Sequence, residues 1–187
     1  MSRQYKNVTR GFNFNTEIRL TGGWPQTQRM VDDLDQIIRL GVYRGKMSAA
    51  KKLKEIVKKH IRTSGGSLGW APLKDSTKEW KARKGYDSSR ILYASGTYYR
   101  SIKVWSKGSK VYVGVKNNTY NPYSKRTVGQ IARMLEYGSI ARSIPARPLW
   151  LPSFKEMGRN NKVKKLVLWH IRKEFRMRHG VTPRFSI

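Results

Sequence analysis

A run of helical periodicity between residues 28 and 62 is the feature that most limits what this chain can fold into. Apolar or small residues recur every three or four positions, which places them along one face of a helix. They are Met30, Leu34, Ile37, Ile38, Gly41, Ala50, Leu53, Ile56, Val57 and Ile61. The spacing predicts one long helix, or two helices with a break near the sequence GVYRG at 41–45. Acidic residues come early in this run and lysines come late, an order that matches the helix dipole.

The remaining segments predict shorter helices and a hairpin. Period-two alternation at 102–105 and 111–115, around the turn SKGS, is typical of an antiparallel hairpin. Shorter helices are expected at 76–84, with Ser76 as cap and Gly85 as stop, at 128–137 and at 161–178. We therefore predict an α+β fold in which a long N-terminal helix and shorter helices pack on a small, mainly antiparallel sheet. Three parts are expected: an N-terminal arm at 1–25, the α+β domain at 26–158, and a basic C-terminal helix and tail at 159–187.

The charge balance predicts an anionic or acidic partner. The chain has 40 Lys and Arg residues against 11 Asp and Glu residues, a formal net charge of +29. Such an excess favours nucleic acid, then an acidic protein surface, then a membrane surface. The candidate contacts lie in two basic stretches: Lys51, Lys52, Lys54, Lys58, Lys59, Lys164, Lys165, Arg172, Arg176 and Arg178. No nucleic-acid recognition motif is present, so any DNA contact is expected at phosphates. No apolar run is long enough to span a membrane, and no membrane partner is expected.

Sequence patterns for catalysis are absent. The chain has no cysteine, and its three histidines, His60, His170 and His179, show no paired metal-ligand spacing. Asp32 and Asp35 lie three residues apart and could hold Mg²⁺ as in a nuclease, but an acidic first helical turn explains them without a metal. We predict no catalytic residue, no metal, no cofactor and no enzymatic activity.

The segment IPARP at 144–148 predicts a rigid, extended stretch of chain. Each proline disfavours the helical conformation of the residue before it and removes an amide donor. Arg147 would then project from a rigid support and suit a contact between subunits, with Glu136 of the same or the next subunit as its partner. The alternative is an ordinary loop that packs on its own core.

An ordered set of residues carries a resemblance to a known family. The set is Trp70, Pro72, Leu73, Thr77, Lys81, Leu92, Ser95, Gly96, Ser101, Ile102, Gly114, Glu136, Gly138, Pro145, Ala146, Arg147 and Pro148. In this order the chain resembles the neck and tail-completion proteins of long-tailed bacteriophages, which include the minor tail protein Z type and the virion morphogenesis proteins. The resemblance covers about residues 28–158. Tyr99, Tyr137, the long loop around Tyr120 and the basic tail beyond Lys162 depart from the family pattern.

The resemblance implies a structural virion protein at the head-tail junction, assembled in the host cytoplasm. It implies a ring around the DNA channel, with a hexamer as the expected size, and neck, portal-adaptor and tail proteins as neighbours. Genomic DNA in the channel is a further expected partner. The subunit-interface candidates are Trp70, Pro72, Leu73, Glu136, Tyr137, Pro145, Arg147 and Pro148. The rival hypotheses are a sequence-nonspecific DNA-binding protein that contacts phosphates and a nuclease that uses Asp32 and Asp35.

Overall fold

The computed structural model describes residues 24–183 and confirms the α+β class. Helix α1 is a single unbroken element of 39 residues, Trp24–Arg62. It is followed by α2 (Asp75–Arg83), α3 (Thr97–Ser101), β1 (Lys103–Lys107), β2 (Lys110–Gly114), α4 (Val128–Tyr137), α5 (Trp150–Gly158) and α6 (Lys162–His179). Of the arm predicted at 1–25, residues 1–23 lie outside the described part, and the last two residues begin α1.

The early start of α1 changes the explanation of its acidic residues. Because α1 begins at Trp24, Asp32 and Asp35 lie more than two turns into the helix, and its first turn contains no acidic residue. The dipole acts mainly within the first turn, so the predicted explanation by an acidic first turn is wrong. The basic end is confirmed, because Lys59, His60 and Arg62 occupy the last turn.

Two glycines in α1 allow α6 to pack closely against it. A Cβ atom at Gly41 would lie 2.6 Å from the Cα atom of Ile171, and one at Gly45 would lie 2.6 Å from the Cα atom of Val167. These pairs show that the two helices run antiparallel. The possible break near GVYRG does not occur, because the glycines there serve close helix packing instead.

The core lies along the C-terminal half of α1, and the hairpin packs against it through Val113. Strands β1 and β2 pair antiparallel, with Val104 opposite Val113 and Trp105 opposite Tyr112. Gly108 forms the turn with a φ of 57°, a left-handed conformation that suits glycine. The core combines buried apolar side chains from α1, the loops and the short helices: Ala49, Leu53, Val57, Ile61, Trp70, Ile91, Ile102, Leu149 and Met157.

The ends of α2, α4 and α6 agree with the sequence predictions to within one residue, except at one cap, whereas the helices α3 and α5 were not predicted from the sequence. Helix α4 begins with a capping box in which Thr127 and Gln130 bond to each other's backbone amides, and it ends at Gly138. Helix α2 begins after Lys74 without a side-chain cap, so Ser76 is not its cap. Within residues 24–183, no helix has the length and apolar character needed to cross a bilayer.

Candidate assembly interface

Two distant loops hold each other through side-chain to backbone bonds, which we call the loop clamp. The buried guanidinium of Arg147 donates from Nε to the carbonyl oxygen of Ala71 and from Nη2 to that of Pro72, both at 3.1 Å. In return, Trp70 Nε1 donates to the carbonyl oxygen of Pro148 at 2.9 Å. Burial lowers the pKa of the Arg147 guanidinium from its ordinary value. The clamp therefore fixes residues 70–72 and 147–148 as one unit within the subunit.

Arg147 does not project as the sequence predicted. Its side chain is only 6% exposed, and its backbone amide donates to the carbonyl oxygen of Leu135 at 2.7 Å. The predicted pairing with Glu136 within the same subunit is wrong. The extended proline-rich segment instead presents the guanidinium inward, where carbonyl oxygens of the Trp70 loop satisfy it.

Glu136 anchors the start of α5 instead of binding arginine. Its Oε2 atom accepts a hydrogen bond from the amide of Leu149 at 2.8 Å, and its Oε1 atom accepts one from the amide of Trp150 at 3.1 Å. The first amides of a helix have no partner inside the helix, and a carboxylate there is favoured by the dipole. Glu136 thus joins the end of α4 to the beginning of α5.

The predicted interface residues divide into buried and exposed sets. Trp70 and Arg147 are buried, and Leu73, Glu136 and Pro145 are half-buried. Pro72, Tyr137 and Pro148 are exposed. The structure brings residues 70–72 together with 147–148 through the clamp. The polar groups of the two buried members, Trp70 and Arg147, are bonded inside the subunit, so these residues support the surface from within. Tyr137 is the most exposed apolar member of the set.

An exposed apolar patch lies beside the loop clamp and includes three residues that sequence reasoning missed. Its members are Tyr137, Ile140, Leu151 and Phe154, with exposed fractions of 79%, 101%, 60% and 53%. Tyr137, Leu151 and Phe154 line one shallow cavity of about 400 Å³ between α4 and α5. Ile140 lies outside this lining, in the short turn that follows α4. Large exposed apolar side chains that lie together mark contact surfaces. Their sequence signal was weak, because apolar residues in a short helix are equally typical of a core.

The basic candidate residues extend along the α1 and α6 pair. Lys51, Lys52 and Lys59 are exposed, and Lys54 and Lys58 are half-buried. The contact between Gly45 and Val167 sets the register of the helices. In this register the α6 candidates lie beside about residues 34–48 of α1, and the α1 lysines continue the line beyond the first residue of α6. The α6 candidates are Lys164, Lys165, Arg172, Arg176 and Arg178.

Arg178 marks the far end of this basic strip. Its Nη1 atom donates to Gln36 Oε1 at 2.8 Å and lies 3.8 Å from the carboxylate of Asp33. Lys51 is 15 residues beyond Gln36 along α1, which corresponds to roughly 22 Å of helix. The structure therefore presents the basic residues as a long strip and not as one compact patch.

The aspartates of the nuclease hypothesis have local partners. Asp32 accepts a hydrogen bond from Gln28 at 2.9 Å, and Asp35 pairs with Arg39 at 2.9 Å. Over residues 24–183, no group of three or more histidine and acidic side chains is arranged to hold a metal ion. These contacts give the acids a role on the surface of α1.

The histidines also make contacts within the fold. His60 Nε2 lies 3.0 Å from Glu156, which links α1 to α5. His170 Nε2 lies 2.7 Å from Ser48 Oγ, which links α6 to α1. Burial, together with the charges of Lys173 and Arg44, lowers the pKa of His170, while Glu174 acts in the opposite direction. Burial thus favours the neutral form of the imidazole that links α6 to α1.

Comparison with known proteins agrees with the resemblance. The model of the phage virion morphogenesis family matches residues 26–171. This match contains the whole region that carried the resemblance, and it includes the loop clamp, the hairpin and the apolar patch. No curated protein matches the chain, and no solved structure matches it either.

Proposed function

Because the chain belongs to the phage virion morphogenesis family, we propose that it is a structural protein of the tailed-phage virion at the head-tail junction. Family membership gives the protein a role in building the virion. The finer proposal is that it completes the tail as a ring around the DNA channel, with a hexamer as the expected size. No enzymatic step is part of this role.

The apolar patch is the observation that carries the ring proposal. A ring needs two different, complementary surfaces on each subunit, because each copy contacts its neighbours head to tail. The patch at Tyr137, Ile140, Leu151 and Phe154 supplies one surface. It rests on α4 and α5, which Glu136 and the loop clamp hold in place, so little ordering cost would accompany binding. Trp169 and Met177, both exposed on α6, are the candidates for the complementary surface.

Electrostatics give this ring a defined salt dependence. With a net charge of +29, copies of the chain repel one another at low ionic strength. At 0.15 M salt the screening length falls to about 8 Å, so apolar contacts then outweigh the repulsion between distant charges. Salt, or a polyanion lying along the basic strip, would therefore favour assembly.

The first test is the mass of the protein in solution by light scattering. We expect the mass to rise towards a closed ring as salt increases, and Tyr137→Ser combined with Leu151→Ser to keep the protein monomeric. Tyr120→Ser is the matched control, because Tyr120 is equally exposed but lies in the loop between β2 and α4. A wild-type monomer at all salt concentrations, or a patch variant that assembles normally, would contradict the ring proposal.

The basic strip also supports a second candidate, a sequence-nonspecific DNA-binding protein. Lysines and arginines spread along two packed helices suit contacts with successive phosphates. In this case the monomer would coat duplex DNA at low salt and release it steeply as salt rises. Light scattering with and without duplex DNA separates the candidates, because only the ring depends on the apolar patch.

A further inference from the structure

A second and larger cavity lies between α2, α4 and the loop that leads to α3. Its volume is about 710 Å³, within the range of sites that bind small molecules or anchoring side chains. Apolar and aromatic side chains form most of its wall, among them Leu73, Trp80, Leu92, Tyr93, Val128 and Ile131. The cavity lies apart from the apolar patch, and none of the patch residues lines it.

One wall residue has a strained backbone. Leu92 has a φ of 57°, in the left-handed region that bulky side chains rarely occupy. Such a conformation costs about 1–3 kcal/mol and is found at binding sites, where the surrounding structure enforces it. Here the strain sets the Leu92 side chain in the wall of an open cavity.

The charged residues that line the cavity are all basic. Lys84 and Arg90 are exposed at its edge, and Lys81 is buried with its Nζ atom bonded to the carbonyl oxygen of Arg90. Arg90 also pairs with the exposed Asp87 at 3.0 Å and lies over the ring of Tyr93 at 5.3 Å. No acidic side chain is among the residues that line the cavity. The site therefore combines an apolar interior with a cationic edge.

We propose that this cavity binds an aromatic side chain of a partner protein whose flanking residues are aspartate or glutamate. The aromatic group would fill the apolar interior, where ring contacts with Trp80 and Tyr93 are available. The carboxylates would pair with Lys84 and Arg90 at the edge.

The chemistry of the cavity favours an acidic protein over the other occupants. A nucleic-acid base carries polar edges that need hydrogen-bond partners, and several polar side chains of the wall are already bonded inside the subunit, among them Lys81, Ser95 and Asn121. A second copy is disfavoured because no aromatic residue of this chain has an acidic residue on both sides. That the partner is a neighbouring virion protein rests on the proposed function, whereas the binding site itself does not.

Fluorescence anisotropy with short labelled peptides tests the site on the full chain. The probe is the peptide Glu-Glu-Phe-Glu-Glu, with Glu-Glu-Ala-Glu-Glu and Gln-Gln-Phe-Gln-Gln as controls. We expect the alanine peptide to bind at least about tenfold more weakly, as the loss of one buried aromatic side chain predicts. The neutral peptide should also bind more weakly. Equal binding of the phenylalanine and alanine peptides would overturn the proposal, because charge alone would then explain the affinity.

A matched pair of variants locates the peptide in the cavity. Ala94→Trp fills it, whereas Ala82→Trp places the same side chain on an exposed position of α2 outside the lining. We expect only Ala94→Trp to weaken the probe at least about tenfold, again by the loss of one buried aromatic contact. Unchanged binding to Ala94→Trp would overturn the proposal.

Charge reversal and a nucleic-acid competitor complete the test. Lys84→Glu should weaken the probe more than Lys164→Glu on α6, even if Ala94→Trp fails to fold. Equal effects of the two reversals would overturn the site.

A single-stranded thymidine oligonucleotide that binds more tightly than the probe, and loses this binding in Ala94→Trp, would overturn the choice of a protein partner. Peptide binding by a chain that never forms rings would keep the site and remove the ring proposal.

Discussion

At the scale of single residues, Arg147 shows how one guanidinium can organise two loops. It satisfies two carbonyl oxygens of the Trp70 loop, while Trp70 satisfies one in the proline-rich segment. A buried charged donor that lost these acceptors would be costly, and acceptors that lost the donor would be left without partners. Arg147 is therefore a stabilising residue of the subunit whatever the proline-rich segment contacts outside it.

Replacing Arg147 should weaken the fold of the monomer. We expect Arg147→Ala to lower the free energy of unfolding by about 2–4 kcal/mol, since two hydrogen bonds from a charged group are lost and a buried site is left unfilled. Urea unfolding followed by circular dichroism measures this change.

Arg83→Ala provides the control for this experiment. Arg83 is exposed on α2, so its removal should change stability by no more than about 0.5 kcal/mol. Equal unfolding midpoints for the two variants would show that the clamp contributes little.

The sequence predicted that residues 144–148 form a rigid segment, but not which way its arginine points. Proline fixes backbone angles locally, and this local effect was readable. The direction of Arg147 depends on carbonyl oxygens of residues 71 and 72, which only the folded chain brings near. For the same reason, the role of Glu136 at the start of α5 could not be inferred from its own neighbours in sequence.

At the scale of elements, the packing of α6 on α1 depends on glycines that look like helix breakers. Glycine inside a helix costs about 1 kcal/mol relative to alanine. Gly41 and Gly45 are nevertheless required, because the backbone of α6 occupies the space that a Cβ atom would take. The periodicity of 28–62 correctly predicted the helix. The role of its glycines was ambiguous, because glycine occurs both where a helix breaks and where two helices pack closely.

Gly45→Ala should destabilise the protein despite the better helix propensity of alanine. The nearest atom to the new Cβ would be the Cα atom of Val167 at 2.6 Å, so a backbone must shift. Overpacking of this kind costs about 1–3 kcal/mol, which exceeds the gain in propensity. Thermal unfolding should show a lower midpoint.

The matched control is Gly158→Ala at the end of α5. A Cβ atom there meets nothing within 4 Å, and Gly158 has a φ of −75°, so alanine should be neutral or slightly stabilising. If Gly45→Ala behaved like this control, α6 could not pack as closely on α1 as described. Val167→Ala should not rescue Gly45→Ala, because the obstructing atom belongs to the backbone.

At the scale of the whole molecule, helices α1 and α6 form one layer that carries the basic strip. Polar contacts reinforce this layer at several levels: Arg44 pairs with the buried Glu174, Ser48 bonds His170, and Arg178 bonds Gln36. The C-terminal helix, predicted as a basic segment following the α+β domain, thus covers α1 over much of its length. The charge of this helix predicted contacts with partners outside the chain, but it did not predict that the helix packs on α1.

Removal of α6 should therefore abolish cooperative folding. A chain that ends at Gly158 would expose the glycine face of α1 and leave Arg44 without Glu174. We expect such a chain to lose its cooperative thermal transition and to aggregate, as judged by circular dichroism and light scattering. Removing residues 184–187 alone is the control and should leave the transition in place. A truncated chain with a sharp transition near that of the full protein would contradict this account.

The antiparallel pairing of α1 with α6 also has a consequence for synthesis of the chain. The ribosome completes α1 at Arg62 and does not begin α6 until Lys162, about 100 residues later. At roughly 5–20 residues per second, the nascent α1 waits roughly 5–20 s for the helix that covers it. Helix α1 is thus made well before α6, and for that interval the face with Gly41 and Gly45, which α6 covers in the folded chain, is open to chaperones and to other nascent chains.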